Sequence, residues 1–116
     1  MKRLLISIPL LLSLLAACAL TQSFSGRVAA GYAALASTND TALVLVNAGT
    51  ISKEDGRAVL EKTRAARQAI DLASAASDGT ALNQALALLR AAQQELCKGK
   101  EAEPNCALLL QQGATP

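Results

Sequence analysis

The chain has 116 residues, 52% of them hydrophobic, and carries 11 Lys plus Arg against 9 Asp plus Glu, with no His and no Trp. A length of this order holds one small domain. Without His the commonest metal ligand and the usual neutral-pH proton shuttle are missing, and Phe24 and Tyr32 are too few rings to serve as a stacking platform for nucleic-acid bases.

Lys2 and Arg3 precede an apolar run from Leu4 to Ala17 that is interrupted only by Ser7, Pro9 and Ser13. A charged start, an apolar middle and small residues at the far end make a secretory signal peptide. A membrane-spanning helix needs about 20 apolar residues, whereas this run is shorter and has Pro9 near its middle. Leu15-Ala16-Ala17-Cys18, at its end, resembles the lipobox of bacterial lipoproteins. The resemblance covers the leader and Cys18 alone, and it implies that residues 1–17 are removed as a signal peptide. It further implies that the Cys18 thiol receives a diacylglycerol and that the new amino terminus takes a further acyl chain such as palmitate. One acyl chain holds a bilayer marginally, at about 0.8 kcal/mol per buried methylene, so several on one residue make a lasting membrane anchor. In Gram-negative members of that family an aspartate after the cysteine favours retention in the inner membrane. Ala19 here implies delivery to the outer membrane, facing the periplasm.

Removal of the leader would leave 99 residues with nine cationic and nine anionic side chains. A nucleic-acid partner normally leaves a basic stripe, and this balance supplies no net charge for one. Alanine, with 25 copies, and leucine dominate. Both are strong helix formers, so the fold class is all-α. Alanine buries little area at about 25 cal/mol per Å², and such a core gains from a covalent staple or a partner.

Residues 18–26 read as a lipidated tether and residues 27–116 as the helical domain. Val28, Tyr32, Leu35, Ala42 and Val46 fall at helical spacing. Ser37-Thr38-Asn39-Asp40 interrupts them, giving either one long helix with a polar belt or two helices with a new cap. The surviving spacing favours one. Gly49 suits a left-handed helix end, and Ser52-Lys53-Glu54-Asp55 resembles a capping box. A second helix is expected from Lys53 to Ala76, burying Val59, Ala66, Ile70 and Ala73, with Arg57–Glu61 and Arg67–Asp71 spaced i, i+4 on its surface. Gly79 is expected to end that helix and Thr80 to cap the next. Leu82, Ala85, Leu86, Leu89, Ala92 and Leu96 form the third helix's apolar stripe, a bundle core by composition. Short connections favour antiparallel neighbours. The expected architecture is a small up-down bundle of three main helices plus a short C-terminal helix near Ala107–Gln112, with one disulfide.

That disulfide joins Cys97 and Cys106, which flank KGKEAEPN. Cysteines of an exported chain meet an oxidising compartment, and closing this ring is worth about 2.7 kcal/mol on the loop-entropy estimate. The pair lacks the Cys-x-x-Cys spacing of disulfide oxidoreductases. Good ligands for a zinc site are too few, so no metal or cofactor is expected. Glu54, Asp55, Glu61 and Asp71 are the candidate acid–base groups, and each falls on a face expected to be solvated. No nucleophile elbow, phosphate loop or Ser/His/Asp set is present.

These residues imply a small, non-enzymatic envelope lipoprotein that presents a surface to another envelope protein or to its own copies. A periplasmic carrier holding a lipid or cell-wall fragment in a cavity lined by Val46, Ile70, Leu86 and Leu89 is the alternative. A further one is an accessory lipoprotein of phage or plasmid origin, blocking entry or assisting lysis.

Overall fold

A computed structural model describes residues 23–114. The expected cleavage point and Cys18 lie outside the described residues. Four helices follow one another: α1 (Phe24–Asn47), α2 (Lys53–Ala76), α3 (Gly79–Leu96) and α4 (Pro104–Ala114). They form an up-down bundle of three long helices closed by a short fourth one, and a disulfide joins Cys97 to Cys106 with Cα atoms 5.5 Å apart.

Side chains at the ends determine where each helix begins. Ser23 Oγ accepts from the Gly26 N–H, Ser52 Oγ from the Asp55 N–H and Asp78 Oδ1 from the N–H groups of Thr80 and Ala81. Each satisfies donors that the first turn leaves without a helical partner. α1 therefore starts at Phe24, inside the stretch read as tether, and runs without a break through Ser37-Thr38-Asn39-Asp40. It persists because Thr38 and Thr41 turn their hydroxyls back onto the Ala34 and Ser37 carbonyls, which leaves the helical backbone intact.

The α2–α3 turn differs from the sequence expectation by two residues. Ser77, in the left-handed conformation at φ 50°, ends α2 where Gly79 was expected to, and Asp78 rather than Thr80 caps α3. Asp competes well for that role because its carboxylate reaches two N–H groups at once. Gly49 does close α1: it holds φ 73°, donates to the Val46 carbonyl, and the next N–H, of Thr50, donates to Leu45.

α2 and α3 bury the faces their periodicity marks, with Val59, Ala66, Ile70 and Ala73 meeting Leu82, Ala85, Leu89, Ala92 and Leu96. α1 is rotated from its expected face. It buries Val28, Gly31, Leu35, Thr38, Ala42 and Leu45, leaving Tyr32 exposed and Val46 half-buried. Gly31 explains part of this, because a Cβ there would stand 3.0 Å from Leu86 Cδ2 and 3.2 Å from Ile70 Cδ1. A hydrogen at that position lets α1 settle against both other long helices.

The buried apolar residues form two clusters. One gathers Val28, Leu35, Ile70, Leu82 and Leu89, and the other gathers Leu45, Ile51, Val59, Leu96, Leu109 and the disulfide. Buried Thr38, Thr63 and Gln93 belong to neither cluster.

Candidate functional site

The described residues offer three places where chemistry or binding could be organised: the disulfide, the buried polar group and a groove on the outer face of α1 and α2.

Cys97 and Cys106 are both buried, with Leu109 and Leu96 beside them in the same cluster. Pro104 opens α4 at the position where a missing N–H costs nothing, and the bridge holds Leu109 against the bundle. Burial on all sides gives this disulfide a structural setting, since exchange requires access by an attacking thiolate.

Within the polar group, Gln93 Nε2 donates to Thr38 Oγ1 at 3.2 Å, and Thr38 Oγ1 donates to the Ala34 carbonyl at 2.7 Å. Thr63 Oγ1 hydrogen-bonds to Asn39 Oδ1 at 2.8 Å, linking α2 to α1. Among the described residues no buried side-chain nitrogen or oxygen lacks a partner, so the group is self-contained and points no free polar atom toward a ligand. The α1 members are legible in the sequence as a polar belt, but Thr63 and Gln93 are not, since each lies beside other polar residues of its helix that face solvent.

The four candidate acid–base residues do not converge. Glu54, Asp55 and Glu61 are exposed on α2. Asp71 accepts a hydrogen bond from the exposed Tyr32 hydroxyl. That bond, helped by desolvation and the Asp71 charge, raises the Tyr32 pKa above 10.0, and Arg67 opposes the rise. Among the described residues the ion pair is Lys62–Glu95, joining α2 to α3, rather than either of the i, i+4 pairs expected along α2. No group of three or more metal-ligating side chains occurs among them, and no described helix is long and apolar enough to cross a membrane.

The groove, unlike the other two, faces outward. It has a volume of ≈ 470 Å³, an apolar floor that includes Leu43, Val46 and Leu60, and a rim carrying Asp40, Lys53 and Arg57. Leu43 is 60% exposed and Leu60 43%. Gly56 keeps the two helices close beneath it, since a Cβ there would fall 2.7 Å from Val46 Cγ2. Of the residues expected to line a carrier's cavity, only Val46 is found in the groove. Ile70 and Leu89 are packed in the core, and Leu86 packs against it. Periodicity had assigned Leu86 and Leu89 to one stripe, and the helix neighbours bury that stripe instead of opening it.

Compared with known proteins, the chain matches no protein-family model, no curated protein and no solved structure.

Proposed function

We propose that this chain is a small, non-enzymatic lipoprotein of the bacterial envelope, tethered through lipid on Cys18, that works by presenting the α1–α2 groove to a protein surface. The observation that carries this reading is the exposure of Leu43 and Leu60 within the groove's apolar lining. A contiguous apolar patch rimmed by charge marks interaction sites on small soluble domains. The groove's position supports a partner beyond the lipid itself: Asn39, its first α1 residue, is 15 residues beyond Phe24. At 1.5 Å per residue that places it about 22 Å along α1 from the tethered end.

Intact-mass analysis of membrane-extracted protein tests the anchor. The expected species begins at Cys18 and carries acyl mass; a full-length chain with a free Cys18 thiol sinks it. Affinity capture from solubilised envelope tests the surface, with Leu43→Asp expected to lose what the wild-type chain recovers. A carrier of a lipid or cell-wall fragment is the second reading, favoured by a volume within the range of small-molecule sites. It requires such a molecule to co-purify stoichiometrically in native mass spectra.

A further inference from the structure

The groove's rim is self-complementary. Asp40 stands on its α1 side and Arg57 on its α2 side, both exposed, and among the described residues neither has an ion-pair partner. The two helices are antiparallel across a short turn. Thr63 of α2 bonds Asn39 of α1, and Gly56 lies against Val46, so Asp40 is level with about Lys62 on α2. Arg57 is five residues nearer the turn, about 7.5 Å along the axis at 1.5 Å per residue, a distance that its long side chain and the Asp40 carboxylate cover together.

We propose that the groove is the interface of a parallel homodimer whose two-fold axis runs along it. This axis lays α1 of each copy over α2 of the other at the same height. Asp40 of each copy then meets Arg57 of the other, and the contact occurs twice by symmetry. Leu43 and Leu60, the most exposed apolar side chains of the groove, cover one another across the same axis.

A two-fold axis across the groove does neither. It sets α1 on α1 and α2 on α2, so the rim offers Asp40 no cation and Arg57 no anion. It also sends the two amino-terminal ends in opposite directions. The axis along the groove keeps both copies of Ser23 at one end, so both chains reach one bilayer, where shared anchoring raises their effective concentration. This last constraint rests on the lipid anchor proposed above, whereas the charge pairing does not.

Sedimentation equilibrium of the full chain in detergent tests the interface. The wild type is expected to dimerise with concentration. Asp40→Arg and Arg57→Asp are each expected to weaken association by about tenfold, the double exchange to restore it, and Leu43→Asp to weaken it by more than either. Circular dichroism and oxidation of the Cys97–Cys106 pair establish that each variant is folded. A monomer at every concentration, or a dimer indifferent to all these changes, overturns the proposal, as does a double exchange that fails to restore affinity. Mass spectra of the same samples separate the two readings: a dimer with unmodified Cys18 removes the anchor and keeps the interface, and a lipidated monomer does the reverse.

Discussion

Ser77 holds φ at 50°, the only non-glycine residue with positive φ among those described. Its N–H and that of Asp78 close α2 by donating to the Ser74 and Ala73 carbonyls, an arrangement that glycine adopts without the steric cost that a Cβ brings. Ser77→Gly is expected to stabilise the domain by about 1 kcal/mol, read as a higher urea midpoint at unchanged slope. Tyr32 gives a second test at this scale, and as the only tyrosine of the chain it titrates without overlap. Asp71 accepts its proton and raises its pKa above 10.0 in the folded protein. A raised pKa means that the folded state holds this proton more tightly than the unfolded chain. The contribution is therefore complete below pH 10 and is lost as pH rises through the folded value. Ultraviolet titration of tyrosinate should show the elevated midpoint, and Asp71→Asn should lower it.

Among the elements, α4 depends most on a covalent constraint. It is eleven residues long, a length at which an isolated helix is marginal in water, and among its described side chains Cys106 and Leu109 are buried. Reduction of the Cys97–Cys106 bridge is expected to cost about 2.7 kcal/mol, with the amides of α4 losing hydrogen-exchange protection before those of α2 and α3. Equal loss across all four helices would show instead that α4 is integral to one cooperative unit. α2 and α3 were legible in the sequence, because each has polar residues enough on one face for a period of 3.6 to single out the other. α1 was not. From Phe24 to Asn47 small and apolar residues occupy most positions on every side, so periodicity cannot choose between a face containing Tyr32 and Val46 and one containing Gly31 and Leu45.

At the scale of the whole molecule, two apolar clusters leave out a polar contact in which Gln93 of α3 donates to Thr38 of α1. The pairing fixes the rotation and height of α1 against α3, since either helix slipping by one position would bury an unpaired amide. Thr38→Val is expected to destabilise the domain by about 1–3 kcal/mol through the orphaned Gln93 amide, with Thr38→Val/Gln93→Leu recovering much of that loss. A denaturant double-mutant cycle measures the coupling, and additivity of the two single changes would refute it. A homodimer formed through the groove would leave this contact untouched, because Thr38 and Gln93 are both buried and neither lines the groove.

The sequence alone determined the all-α class, the run of α2 and α3, the glycine turn at Gly49 and the pairing of Cys97 with Cys106. Each depends on residues close together in the chain: propensity, capping, periodicity and ring closure are local properties. It also marked Cys18 for lipid by resemblance, at a position outside the described residues. The tertiary structure decided which side of α1 is inside, where Thr63 and Gln93 find partners, and that Leu43, Val46 and Leu60 line one groove. These depend on the relative rotation of helices far apart in sequence, which three mutually packed surfaces fix together and no one of them specifies.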